Sequence, residues 1–218
     1  MPSTIVHLAF AGMLAAALLG SAFDRRALAI VLIVTAFPDL DSFIALYSTA
    51  SHRAALHNVW VPALSAAALW IDLNLRDRSF VRERWGDWGV RVFWVSIVCY
   101  LFAGLAPDIV NGILNPLWPV HDQFYHIDGK LELSNQRGII QTFIETGGDG
   151  GGSIPAPESV GSSEEVNVTT GVDPGPAADD EDPERVFPVF RAGWELMLFV
   201  VGTVTTAARL QFDPANEE

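Results

Sequence analysis

The sequence predicts an all-α integral membrane protein: a bundle of about five transmembrane helices with a long disordered acidic loop. Half of the 218 residues are hydrophobic although the formal net charge is −13, so apolar and charged residues must be segregated along the chain. The apolar residues fall in long runs, and about 20 such residues span a bilayer as a helix. The acidic residues concentrate toward the C-terminal third.

The first two predicted helices lie at the N-terminus. Residues 4–23 are almost wholly apolar. A cleaved signal peptide is the alternative, but it normally begins with basic residues, and the first four residues contain none. We therefore expect a retained membrane helix. A second run, 27–36, is interrupted at Phe37-Pro38, because proline removes a backbone donor and disfavours helical geometry in the residue before it. A further apolar piece, 43–47, follows this break.

Later apolar runs predict three more helices, at about 54–73, 90–113 and 186–208. Between the last two lies 114–142, which is mixed and expected to be irregular or interfacial. The next segment is rich in Gly, Ser, Pro, Asp and Glu and poor in apolar residues, which favours disorder. The chain is thus divided into 1–145 with the first four membrane helices, 146–185 as the acidic loop, and 186–218 as the fifth helix and C-terminal tail.

The arginines indicate how such a bundle is oriented. Arg25 and Arg26 follow the first helix, and five arginines lie within 74–91. Cytoplasmic loops carry an excess of basic residues, so both of these loops are expected to be cytoplasmic. The N-terminus and residues 114–185 are then outside. With this orientation, all the histidines and the candidate carboxylates fall at the outer membrane face.

The overall composition limits the class of partner. The acidic balance argues against nucleic acid as a partner. Lys130 is the single lysine against twelve arginines. Such an acidic, lysine-poor chain indicates a high-salt organism, of the archaeal kind, where surface acid helps to keep proteins soluble. The alternative is that one acidic loop dominates the count. Cys99 is the only cysteine and cannot form an internal disulfide.

Two polar motifs stand between apolar runs. Pro38-Asp39-Leu40-Asp41 follows the second run, and His52-Arg53 with His57 precedes the third. Asp and His are costly near hydrocarbon, so such a cluster is a functional-site hypothesis by default. Carboxylate oxygen and imidazole nitrogen are a usual ligand mix for a divalent metal. The alternative is a polar loop that joins two membrane helices.

We expect four residues to bind the metal: His7, Asp39, Asp41 and His57. Close acids would repel each other unless a cation lies between them. The alternatives are a hydrogen bond from His7 to a neighbouring helix and helix capping by the aspartates.

Three further residues are expected to take part in catalysis. His52 is either the general base or a ligand. Arg53 could stabilise a phosphate or other oxyanion, or contact a lipid head group. Asp108 could be a ligand or could orient a histidine from behind. His121 and His126 are weaker candidates.

These motifs resemble the YdjM-like family of membrane-bound metal-dependent hydrolases, also called LexA-binding inner-membrane-associated hydrolases. The resemblance covers about residues 4–120 and rests on a histidine in the first helix, Pro-Asp-Leu-Asp, and His-Arg-x-x-x-His. It implies a metal-dependent hydrolase, and Asp108 matches the acid of the family's fourth-helix His-x-x-x-Asp. Gly104 occupies the histidine position of that motif, and Leu56-His57-Asn58 replaces the family's Thr-His-Ser.

The sequence therefore predicts a membrane-bound hydrolase whose divalent metal, expected to be zinc, lowers the pKa of water to about 7. Its expected partners are membrane lipids and an unknown small-molecule or lipid substrate, with a phosphoester or a lipid head group favoured. One alternative is a non-catalytic membrane scaffold or regulatory protein that retains a structural metal. Another is an ion transporter, which would need a polar path to the cytoplasmic face.

Overall fold

A computed structural model of the chain describes residues 3–44, 53–127, 131–141, 159–166, 168, 171–172 and 185–212. Helices dominate this part of the chain. A π-helical stretch, Tyr100–Leu105, joins two of them, and short 3-10 turns occur at Gly20–Ala22 and Pro38–Leu40. The α-helices are α1 (Thr4–Leu18), α2 (Arg25–Ala36), α3 (Asp41–Ile44), α4 (Trp60–Asn74), α5 (Phe80–Cys99), α6 (Ala106–Asn111) and α7 (Gly193–Gln211).

Two small antiparallel sheets show that the prediction of an all-α fold is wrong. Strands β2 (Leu131–Ser134) and β3 (Gly138–Gln141) form a hairpin. Strand β1 (Phe124–Tyr125) pairs with β4 (Ser159–Gly161). Pairing between strands satisfies backbone groups where the sequence has no helical periodicity. Strand β4 lies inside the segment predicted as a disordered loop, most of which falls outside the described residues.

The prediction of five membrane spans is also wrong. Within the described residues, one helix, Phe80–Val110, is long and apolar enough to cross a membrane. The pair Arg25–Ala36 and Pro38–Ile44 would count as a second span only if it crosses as one bent unit. The first predicted span is the short helix α1, and α4 has only 15 residues. A helix of 15 residues is about 23 Å long, shorter than the hydrocarbon core.

Local breakers and caps explain why the helices are shorter or longer than the apolar runs. Gly20 adopts a positive φ of 57°, which ends the first run early. At the other extreme, α5 begins within the predicted polar loop. There the Ser79 hydroxyl accepts from the Arg82 amide, and the Asp72 carboxylate accepts from the amides of Phe80 and Val81, the first two residues of the helix. These caps satisfy N-terminal donors and extend the helix beyond its apolar part.

The break predicted in the second apolar run is confirmed. Helix α2 ends at Ala36, and the chain bends by 43° into the turn that begins at Pro38. Proline cannot continue the helical hydrogen bonding. Both Asp39 and Asp41 are therefore presented by a break and not by one regular helix face.

Helix α1 is central, because it contacts α2, α5 and α7. Its contact with α7 depends on small residues. A Cβ atom added to Gly202 would overlap the carbonyl oxygen of Ala9, and one added to Gly12 would overlap the side chain of Thr206. Small residues let two helix backbones approach closely. This close approach fixes the helix that carries His7.

Candidate metal centre

His7 is held by one ring nitrogen, which leaves the other directed into the protein. The side chain is buried, and Nδ1 donates a hydrogen bond of 2.6 Å to the carbonyl oxygen of Ala103. In a regular helix that carbonyl would accept from the residue four positions later, which is Pro107 and has no N–H. The sequence thus provides an acceptor for His7 in the π-helical stretch. Its Nε2 atom is left facing Asp108.

His57 is held in the same way by a carboxylate. Its Nδ1 atom donates a 2.8 Å hydrogen bond to Oδ2 of Asp41, and both side chains are buried. The same oxygen accepts from the backbone amide of Arg53 at 2.9 Å. A carboxylate behind a histidine fixes its tautomer and makes it a better ligand, which is the arrangement found around many bound metals.

Four side chains converge between α1, the turn after α2, the segment before α4, and α6. Nε2 of His7 lies 3.4 Å from Oδ1 of Asp108. Nε2 of His57 lies 3.3 Å from Oδ2 of Asp108 and 3.4 Å from Oδ1 of Asp39. These separations are longer than a charge-assisted hydrogen bond, which measures about 2.7–2.9 Å. They match the distance of about 3.4 Å between ligand atoms that each lie about 2.1 Å from a tetrahedral ion.

The donor set fits a metal ion on a second ground. His7, Asp39 and Asp108 offer ligand atoms that all lie within 4.8 Å of one another, so this group could hold a metal. Nε2 of His7 and Oδ2 of Asp108 are buried, and neither forms a hydrogen bond with any residue in the described part of the chain. Buried polar atoms normally have partners, and two such atoms facing one point fit a site that binds an ion or a water molecule.

Asp39 is the part of the centre nearest to solvent. Its side chain is 22% exposed, whereas those of His57 and Asp108 are fully buried. The Thr4 hydroxyl donates a 2.6 Å hydrogen bond to Oδ2 of Asp39. That contact leaves Oδ1 facing His57 and fixes the carboxylate. Water or substrate would therefore approach on the side of Asp39.

Arg53 is buried behind the centre and adopts a positive φ of 64°. Its guanidinium donates to Oδ1 of Asp108 at 3.0 Å and to the carbonyl oxygen of Ile113 at 2.6 Å. It therefore orients Asp108 and balances its charge. A non-glycine residue with positive φ is strained, and such strain persists only where the surroundings hold the residue in place.

The electrostatics of His57 favour a positive charge at this point. Burial opposes its protonation, but the carboxylates of Asp41, Asp108 and Asp39 outweigh burial and raise the pKa of His57 well above its ordinary value. The acids around this imidazole therefore select a cation, either a proton or a metal. A metal ligand must be deprotonated, so the two would compete.

The structure brings together six of the seven residues predicted to form the site. Asp41 lies behind His57, while Asp108 faces the two imidazoles directly. His52 lies outside the described residues. The two weaker candidates point elsewhere: His121 contacts the Tyr125 hydroxyl at 2.7 Å, and His126 donates to the carbonyl oxygen of Gly112.

Sequence reasoning did not identify the supporting residues. The Thr4 hydroxyl holds the Asp39 carboxylate. Pro107 has no N–H and so leaves the Ala103 carbonyl oxygen for His7. The only signal in the sequence was the position of Pro107 in a predicted helix. At Gly104, which stands at the histidine position of the motif that the sequence resembles, an added Cβ would make only ordinary van der Waals contacts. A Cβ there would lie 3.5 Å from the carbonyl oxygen of Thr35 and 3.7 Å from Cγ of Pro38.

Comparisons of the chain with protein-family models, with curated proteins and with solved structures found no match. The interpretation of the site therefore rests on its own geometry. What that geometry establishes is a buried His/Asp group that could hold a metal ion.

Proposed function

We propose that this chain is a membrane-bound, metal-dependent hydrolase related to the YdjM-like family. The observation that carries the proposal is the convergence of two imidazole Nε2 atoms on two carboxylates at separations of 3.3–3.4 Å. In this proposal His7, Asp39, His57 and Asp108 bind the metal. Asp41 and Arg53 hold His57 and Asp108 in place. Zinc is the favoured metal because imidazole and carboxylate suit it.

Such an ion would supply Lewis-acid chemistry, polarising a phosphoryl or carbonyl oxygen and lowering the pKa of water to about 7. The protein supplies the remaining functions. Asp39 and Thr4 form the accessible wall, where the substrate would be positioned. The buried imidazoles and Asp108 exclude water from the opposite side. Because Arg53 is already bonded to Asp108, it would act on the substrate only through that carboxylate.

Exposed apolar side chains support placement at a membrane. Soluble monomers rarely expose large contiguous apolar patches. Here apolar side chains point outward from α2, α4, α7 and the long helix Phe80–Val110. Such a surface would be stable against lipid, which supports our proposal that lipids are among the partners and that the substrate is a lipid head group or another phosphoester. The outward-facing apolar side chains include Ile33, Leu64, Trp70, Ile71, Phe102, Met197, Val200, Val201 and Val204. The hydrolytic reaction, zinc, and adaptation to high salt all stay predictions.

The second candidate is a scaffold or regulatory protein that retains a structural metal. One observation favours it: four side chains of this chain would fill a tetrahedral shell, and filled shells are typical of structural zinc. A metal that keeps a further position open to water or substrate, beside its protein ligands, would favour the enzyme. X-ray absorption of the metal-loaded protein counts these ligands and so separates the two functions.

The first test is metal content, measured by mass spectrometry on the full chain purified in detergent. Wild type is compared with His7→Ala and Asp108→Asn, with His121→Ala as the matched control on an exposed histidine. We expect close to one zinc or manganese per wild-type chain, retained in His121→Ala and lost in the other two. Folded wild-type protein that binds no metal would refute the hydrolase and the structural-metal functions together.

A further inference from the structure

A cavity lies apart from the metal centre, in a groove between α2, α4 and α5. Its volume is about 360 Å³. Along α2 its lining runs from Arg26 to Phe37, a rise of about 16 Å for eleven helical residues. The groove is therefore elongated along the helices. Its dimensions suit an extended chain better than a compact ligand.

The lining of this groove is mostly apolar and carries a charge at only one end, among the residues that the structure describes. Its walls include Ile30, Val34, Val92 and Ile97. Arg26 is the single charged residue among the described residues that line it. An apolar ligand portion would therefore be accommodated along the groove. A charged portion would be accommodated only at the end where Arg26 lies.

Arg26 is available to bind an anion. Its guanidinium lies 5.0 Å from the ring centre of Trp88, and it forms no ion pair within the described part of the chain. The nearby acid, Asp24, is already engaged: one oxygen accepts from the Ala27 amide and the other from Trp88 Nε1. Arg26 also belongs to the first turn of α2, where the helix dipole favours negative charge.

We infer that this groove binds the acyl chain of an anionic lipid, with the lipid head group on Arg26. The elongated apolar walls take the chain. The guanidinium at one end, which forms no ion pair within the described residues, selects a negative head group over a zwitterionic one. This inference does not depend on the metal centre, because none of the groove-lining residues is one of its proposed ligands.

Fluorescence quenching by brominated lipids tests this assignment, because Trp85 lines the groove. The full chain is reconstituted in phosphatidylcholine vesicles that contain increasing fractions of brominated phosphatidylglycerol or of brominated phosphatidylcholine. The signal from the groove is the difference between wild type and Trp85→Phe. We expect half-maximal quenching at a mole fraction of the anionic lipid about fivefold lower, as one favourable arginine contact implies.

Two pairs of variants locate the binding. Arg26→Gln should abolish the preference for the anionic lipid, whereas Arg25→Gln, on a neighbour that does not line the groove, should retain it. Ser65→Phe should fill the groove and reduce the maximum quenching of Trp85. Leu64→Phe, at an exposed position of the same helix, should not. Circular dichroism establishes that each variant is folded.

Two results would overturn the inference. Equal quenching by both lipids would show that the groove is an ordinary lipid-facing surface without a head-group site. A preference for the anionic lipid that survives in folded Arg26→Gln would place the anion elsewhere. Either result leaves the metal content of the protein unaffected, so this test and that of the proposed function fail independently.

Discussion

Asp41 is the residue whose position in the structure most changes the interpretation of the site. The sequence predicts that it is a metal ligand, but its Oδ2 atom accepts from His57 Nδ1 and from the Arg53 amide. A carboxylate in that position tunes a ligand. It would therefore contribute to metal affinity without contacting the ion.

We expect Asp41→Asn to weaken metal binding by about 10–100-fold without abolishing it, the usual cost of losing a partner behind a ligand. A competition titration with a chelator of known affinity measures the change. Asp122→Asn is the matched control, because the Asp122 carboxylate bonds Asn115 and Ser163, neither of which is a proposed metal ligand. Complete loss of binding in Asp41→Asn, equal to that in Asp108→Asn, would make Asp41 a ligand.

For Arg53 the sequence predicts a catalytic role, whereas its contacts in the structure hold Asp108 in place. Removal of one partner of a buried ion pair leaves an uncompensated charge and costs about 3–5 kcal/mol. We therefore expect metal-free Arg53→Gln to unfold at a markedly lower temperature in detergent. Arg53→Lys should recover only part of the loss, because one ammonium cannot reproduce both guanidinium contacts.

The control for Arg53 is Arg82→Gln, which removes an exposed ion pair with Asp87. Exposed pairs contribute little, so this variant should unfold close to wild type. If metal-free Arg53→Gln is as stable as wild type, the guanidinium does not balance the charge of Asp108. Arg53 would then again be a candidate catalytic residue.

At the scale of elements, the contact between α1 and α7 holds His7 in place. We expect Gly202→Ala to lower the unfolding temperature, because the added methyl group overlaps the carbonyl oxygen of Ala9; overpacking typically costs about 1–3 kcal/mol. Gly193→Ala is matched in chemistry and on the same helix, but its Cβ would meet nothing within 4 Å. It should be neutral or slightly stabilising, because alanine favours helix.

Metal content gives a second readout for the same pair of variants. Ala9 is two residues from His7, so displacement of α1 should lower the metal content of Gly202→Ala and not that of Gly193→Ala. Similar unfolding temperatures for the two variants would contradict the close packing of these helices.

The elements also show what a sequence can reveal about such a fold. The break at Pro38 was predictable, because proline has a fixed local effect. The strand at Phe124 was not, since it depends on pairing with the distant strand β4. The hairpin of β2 and β3 pairs locally, but it lies in the mixed stretch 114–142, where no clear pattern favours a strand. The ligand-rich motifs were recognisable because acids and imidazoles are costly in apolar surroundings. The role of Asp41 depends on which ring nitrogen of His57 it contacts, and residue order does not encode that.

At the scale of the whole molecule, the exposed apolar surface should determine where the protein resides. We expect the expressed chain to stay in the membrane pellet after washing with alkaline carbonate, because outward-facing side chains such as Leu64 and Val204 would otherwise contact water. Immunoblotting of pellet and supernatant measures this distribution. A chain recovered intact and monomeric in the supernatant would contradict the membrane proposal.

The missing amide of Pro107 has an evolutionary consequence. The carbonyl oxygen of Ala103 is available to His7 because the proline cannot donate to it. A substitution that restores the amide gives this carbonyl a competing donor, and loss of the imidazole leaves it without its present one. We therefore expect the two positions to change together among descendants of a common ancestor, although they lie far apart in the chain.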